Sequence, residues 1–206
     1  MTQPNFEGET IMKIQQAIAF CAALVTLGIG TSAAQAPNNP PPPRAGLTII
    51  ASDFPDGGVI PAKFTRTVEN PVSPKLEWKN ILPNAVSFTL IVHDPDTSRN
   101  TTTEDVLHWM IINLPADARE IPEGVGTSAT VKLPNGAMQM KNRTGAPGYA
   151  AMAAGTGPYH HYLFELYELD TKLDVGPDAT RADVLKAMDG HVIERGVTFG
   201  RFRREK

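Results

Sequence analysis

The chain has a single cysteine, Cys21, in 206 residues. It sits inside an N-terminal apolar stretch, so a chain processed beyond that stretch carries no thiol. A disulfide scaffold, a thiolate metal site and cysteine catalysis are thereby excluded together. No long block of Lys and Arg is present, and the formal net charge is -3. Binding along a phosphate backbone needs clustered cations, so nucleic acid is not the expected partner. There is no Gly-x-Ser-x-Gly elbow, which removes the signature of a serine hydrolase. The carboxylates Asp94 and Asp96 are two residues apart on one turn rather than across a cleft, which does not suit paired-carboxylate glycoside chemistry.

What is present begins with a leader. Lys13 precedes an apolar run over residues 17–29, and Ala33, Ala34 and Ala36 follow. This charged, apolar, small-residue order is that of a secretory signal peptide over residues 1–36. Glu7 and Glu9 fit a signal n-region poorly, so translation is expected to start at Met12. Cleavage after Ala34 avoids placing Pro37 next to the cut. The run is shorter than the roughly 20 residues of a spanning helix, and Phe20 before Cys21 is too bulky for a lipid-attachment signal. The expected location is periplasmic or secreted, with no stable membrane span after cleavage. Removal of residues 1–36 leaves 18 basic and 20 acidic residues, a nearly neutral chain.

Residues 37–45 are proline-rich and predict an extended tether, with one folded domain over 46–206. In that domain, short β-branched and aromatic runs alternate with proline and glycine turns, the pattern of a mainly β protein. The strongest strand signals are at 86–93, 107–114 and 160–169. One helix is predicted near the C-terminus: Thr180 and Asp183 form a capping box, Val184, Leu185 and Met188 an apolar stripe, and Gly190 the stop.

Strand alternation sorts the histidines by face. Phe88, Leu90, Val92 and Asp94 share one face of the first strand and His93 takes the other. On the second, His108 is expected to lie with Met110 and Ile112. On the third, His160 and Tyr162 lie with Phe164 and Leu166, opposite His161. Asp94, His108, His160 and Tyr162 are thus polar members of apolar faces and need partners. One reading is a structural hydrogen-bond network. The other is convergence on a pocket in which a carboxylate orients an imidazole and favours its charged form, presenting donors to an anion. No two histidines have helical ligand spacing, so neither a metal nor another cofactor is expected, and a metal-dependent hydrolase is the weaker reading.

The motifs Ile91-Val92-His93-Asp94-Pro95-Asp96, Leu107-His108-Trp109 and Pro158-Tyr159-His160-His161-Tyr162 come in that order. With Gly190-His191-Val192 and Gly200, they resemble the phosphatidylethanolamine-binding protein family, the Raf kinase inhibitor-like proteins, in its bacterial YbhB/YbcL-like branch. The resemblance spans roughly residues 47–203. It implies a β-sandwich with a central antiparallel sheet and a short C-terminal helix. It also implies a small pocket for phosphate or a phospholipid head group, and no enzymatic activity. Asp94, Asp96, His108, His160 and Tyr162 carry over as pocket residues, with Tyr149 at the border. The family also includes inhibitors of kinases and serine proteases, so an extracytoplasmic protein partner is the alternative. Residues 150–155, Ala-Ala-Met-Ala-Ala-Gly, depart from the family's proline-bearing loop, and with Met152 the expected pocket wall there is more apolar or more mobile. Asn-x-Thr sequons stand at Asn100 and Asn142, and the C-terminal Arg201, Phe202, Arg203, Arg204 and Lys206 offer contacts to an acidic surface.

Overall fold

The computed structural model describes residues 43–97, 102–127 and 133–206. The leader with Met12 and Cys21, most of the tether and the sequon at Asn100 lie outside the described residues. From Pro43 onward the chain forms one compact unit.

The strands, in chain order, are β1 (Thr48–Ala51), β2 (Gly58–Val59), β3 (Leu76–Lys79), β4 (Ser87–Asp94), β5 (Val106–Pro115), β6 (Glu120–Ile121), β7 (Met138–Gln139), β8 (His160–Leu169) and β9 (Val192–Phe202). A short 3-10 turn covers Ala62–Phe64, and the helix α1 covers Arg181–Met188. The large sheet has the order β2-β9-β8-β4-β5-β7, antiparallel except for the β2–β9 pair, and the small sheet has the order β1-β3-β6. The mainly β sandwich read from the sequence is the architecture observed. The three strongest strand signals correspond to β4, β5 and β8.

β4 is buried along its whole length because both faces are covered. On one face Phe88, Leu90 and Val92 meet Ile49, Leu76 and Trp78 of the small sheet, with the Trp78 and Phe88 rings 5.6 Å apart. On the other, Ile91 packs with Met110, Ile112, Val184 and Met188 under α1. The capping box is present: Thr180 Oγ1 accepts from the Asp183 N–H, and Asp183 accepts from the Thr180 N–H. Leu185 is 41% exposed, so the buried side of α1 is Val184 and Met188 rather than a three-residue stripe. An eight-residue helix turns only about 100° per residue, and Leu185 falls off the narrow contact side. Among the described residues, no helix is long and apolar enough to cross a membrane.

His93 lies under α1, on the helix side of the sheet. Its Nδ1 pairs with Asp105, which also binds Arg181 at the first position of α1, and its Nε2 is 3.3 Å from Glu165. Burial opposes charge on this imidazole, but the Glu165 and Asp105 carboxylates outweigh it and the His93 pKa is raised. A raised folded-state pKa stabilises fully below the ordinary histidine value, and that stabilisation is lost as pH rises through the folded value. The melting temperature is therefore expected to fall as pH is raised from about 6 to about 8. The fall should shrink in His93→Gln, and an equal pH slope in both proteins would disprove the assignment.

Candidate functional site

The site lies where β4, β5 and β8 meet at one end of the large sheet. Asp94, the last residue of β4, is 2% exposed. Pro95 turns the chain so that the Asp96 N–H donates to Asp94 Oδ1 at 2.9 Å. The other carboxylate oxygen accepts from His160 Nδ1–H at 2.8 Å and from the Thr97 hydroxyl at 3.3 Å. Asp94 thus fixes the ring of His160 at the start of β8 and leaves its Nε2 free for other partners.

His108 reaches this face by a route that strand alternation does not describe. β5 pairs with β4 as Val92↔Trp109 and then His93↔Leu107, so His108 is the extra residue of a bulge. Met110 and Ile112 lie in the core beneath α1, whereas the His108 ring packs edge-on against Tyr162, 5.2 Å away. The expectation that His108 shares a face with Met110 and Ile112 is corrected: the bulge puts His108 and Trp109 on the same side. Had alternation run unbroken, His108 would point away from the other pocket residues.

A two-way clasp holds His108. Its Nδ1–H donates to the Ala150 carbonyl at 2.7 Å, and the Ala150 N–H donates to the His108 carbonyl at 2.7 Å. The ring is 2% exposed, and burial pushes its pKa down from 6.5 to about 4. At neutral pH it is uncharged, with the proton on Nδ1 and a lone pair on Nε2. The expectation of an imidazolium favoured by a neighbouring carboxylate therefore does not hold for His108, because burial outweighs Asp94.

Tyr162 completes the group. Its hydroxyl is buried with no well-formed hydrogen bond to any described residue, although the Ala153 backbone lies alongside, and burial raises its pKa. A buried hydroxyl without a partner is costly, so this one calls for a water, an ion or a ligand to satisfy it.

Two predicted residues stand apart from this group. The Asp96 carboxylate turns toward the surface, where it accepts from the His161 backbone N–H at 2.6 Å and from His161 Nδ1–H at 2.8 Å. Partial burial opposes charge on Asp96, but these two bonds win and hold its pKa low. Tyr149 is buried against Trp109, with its hydroxyl donating to the Phe64 carbonyl at 2.6 Å. It braces the wall from behind and does not offer its hydroxyl to the pocket.

The unusual 150–155 loop is fastened down. Met152 is fully buried in the main core, its N–H donates to the Phe64 carbonyl at 3.4 Å, and its carbonyl accepts from Arg66 at 2.9 Å. The flexible, unbranched methionine side chain fills the irregular space, which the sequence departure alone does not reveal. Arg143 is a residue that the motifs do not single out. Its backbone N–H donates to the Leu107 carbonyl at 2.9 Å, and its positive charge lowers the pKa of both His108 and Tyr162. Asn142, the second sequon, is engaged in a turn: its amide donates to the Gly148 carbonyl at 2.8 Å and its Oδ1 accepts from Thr144. Among the described residues, no cluster of three or more His, Cys, Asp or Glu side chains is arranged to hold a metal ion.

Residues 50–203 match the family model described as phosphatidylethanolamine-binding protein. A protein of Methanothermobacter thermautotrophicus is 40% identical over 151 residues, covering 73% of this chain and 95% of the relative. A Mycobacterium tuberculosis protein whose name, LppC, carries a lipoprotein label is 33% identical over 151 residues, covering 72% of this chain and 68% of the relative. The crystal structure of Escherichia coli YbcL, described as a new member of the mammalian PEBP family, superposes with a TM-score of 0.70. It shares 24% identity and covers 78% of this chain and all of its own.

Proposed function

Since the chain belongs to the phosphatidylethanolamine-binding protein family, we propose that it is an exported, non-enzymatic protein. Its ligand is a small anion, phosphate or a phospholipid head group, taken between His108, His160, Tyr162 and Arg143. The observation that carries this reading is the buried Tyr162 hydroxyl without a well-formed bond, set against His108. The positive charge of Arg143 acts on both His108 and Tyr162 and so favours an anion beside them. Export is supported by the order of the leader and by the lipoprotein label of one relative.

The locked tautomer of His108 gives the binding a pH sign. With Nδ1–H committed to Ala150, the Nε2 lone pair repels an anion until a proton is taken up there. The anion then offsets the burial that keeps the free ring neutral. Affinity for sulfate, which does not titrate in this range, is expected to rise as pH falls from about 8 to about 5. Tyr162→Phe is expected to weaken sulfate and phosphoethanolamine by about 10- to 100-fold, the worth of a hydrogen bond to a charged group. Calorimetric titration measures both. Equal sulfate affinity at the two ends of the range would refute proton uptake, and undiminished binding by Tyr162→Phe would refute the site.

A further inference from the structure

The end of β9 gathers four exposed cations, Arg201, Arg203, Arg204 and Lys206, within six residues. Several exposed cations elsewhere are matched: Arg44 with Glu194, Lys63 with Asp53 and Glu123, Lys75 with Glu77 and Glu120, Lys141 with Asp178. Exposed cations without an ion pair, such as Lys79, Lys172 and Lys186, are spread along the chain rather than gathered in one segment. Among the described residues, Arg201, Arg203, Arg204 and Lys206 form no ion pair, and Glu205 is the one acid in their segment. This concentration of positive charge stands in a chain whose net charge is -3.

The cations are partly preorganised. Arg201 and Arg203 are two apart on an extended chain and so project to one side. Their guanidinium carbons lie 5.1 and 4.6 Å from the centroid of the Tyr159 ring. Each contact with the ring is favourable, but the two like charges repel, and an anion between them relieves that repulsion. Beside them is a groove of about 880 Å³ with an apolar floor that includes Ile60 and Phe202 and a rim of Arg203, Arg204 and Lys206. Val59 on the same rim is 51% exposed and pairs in register with Arg201.

We propose that this face docks the protein onto an anionic lipid bilayer. Lipid phosphates are received by Arg201, Arg203, Arg204 and Lys206, while Tyr159 and Val59 enter the head-group layer. Unpaired cations around an aromatic and an exposed aliphatic side chain are what an interfacial anchor needs. An acidic peptide is the poorer fit, because the sheet edge here is the two-residue strand β2, too short a rail for strand addition. The surface is distinct from the His108–Tyr162 site but shares its end of the sheet: His160 pairs with Phe202 and His161 with Arg201. Docking therefore brings that site close to lipid head groups.

The test is co-sedimentation of the whole protein with vesicles of phosphatidylcholine alone or with about a third phosphatidylglycerol. Binding is expected to the anionic vesicles only, and to be released by high salt. Each surface cation is worth roughly fivefold in such partitioning, so Arg203→Gln with Arg204→Gln is expected to lower it about 25-fold. Both side chains are exposed, so the melting temperature should not move. No binding to anionic vesicles, equal binding to neutral ones, or full binding by the double variant overturns the proposal. So does tighter binding to polyglutamate, which would assign the face to a protein partner. His108→Ala is expected to keep vesicle binding while losing soluble phosphoethanolamine. If His108→Ala loses the vesicles and the double variant keeps them, head-group capture in the pocket replaces the surface as the anchor.

Discussion

Trp109→Ala is expected to cost about 3–5 kcal/mol of folding stability, the range for deleting a large buried aromatic. Trp109 is fully buried, meets Tyr149 edge-on at 5.6 Å, and donates from Nε1 to Gln139 Oε1 at 2.8 Å. A methyl group built on Gly126 would stand 3.0 Å from the indole, so the backbone there is shaped around this ring. Truncation leaves a cavity and strips Gln139 of its donor. Domains are typically stable by only 5–15 kcal/mol, so a loss of this size is a large fraction of the total. Trp109→Phe separates the two terms: it keeps a ring against Tyr149 but leaves Gln139 Oε1 unpaired, at about 1–3 kcal/mol. Urea titrations of the three proteins check this, and a loss below about 1 kcal/mol for Trp109→Ala would show that the wall can collapse around the gap.

The same ring explains how the site is built. Trp109 and His108 are consecutive yet face the same side of the sheet, because the β5 bulge suspends alternation for one residue. Trp109 anchors the bulge in the core, and His108, clasped to Ala150, emerges beside Tyr162. A change that lets β5 slip back into regular register would turn His108 away from the pocket without removing any pocket residue.

Much of this was legible in the residues. β4, β5 and β8 are long, rich in β-branched and aromatic side chains, and bounded by proline and aspartate turns, so their existence and limits follow from local pattern. The capping box at Thr180 is equally local. Alternation correctly separates His160 and Tyr162 from His161, because β8 runs regularly over those positions. It fails at His108, because a bulge is a property of the pairing between β4 and β5 and leaves no mark in β5 alone. The roles of Asp96 and Tyr149 were hidden for a related reason. Each side chain is committed to a partner distant in sequence, His161 or the Phe64 carbonyl, and motif spacing does not report such contacts. Arg143 carries no strand signal and belongs to a turn, so only the folded chain brings its charge to the site.

Acidification is expected to destabilise the protein through His108, and His108→Asn is expected to remove that effect together with anion binding. The sign follows from the depressed folded-state value. Above the ordinary 6.5 the ring is neutral whether folded or not, and its stabilisation is fully present. As pH falls toward about 4 the unfolded chain takes up the proton first, and stability drains away. At about 1.4 kcal/mol per pH unit, the loss across that window is on the order of 3 kcal/mol. His93 acts in the opposite sense and in a higher window, above the ordinary histidine value, so the two contributions separate by pH. Asparagine at position 108 retains a donor for the Ala150 carbonyl but has no titrating ring and no edge contact with Tyr162. Its stability at pH 7 should fall by about 1 kcal/mol from the lost ring packing. Its decline between pH 6.5 and 4 should be shallower than that of the unaltered protein, and sulfate binding should be lost. Urea titrations across that range, paired with calorimetry, read out both. Parallel stability curves would mean that the ring is solvated before the fold gives way, whereas a flattened curve with intact sulfate binding would move the anion to His160 and Arg143.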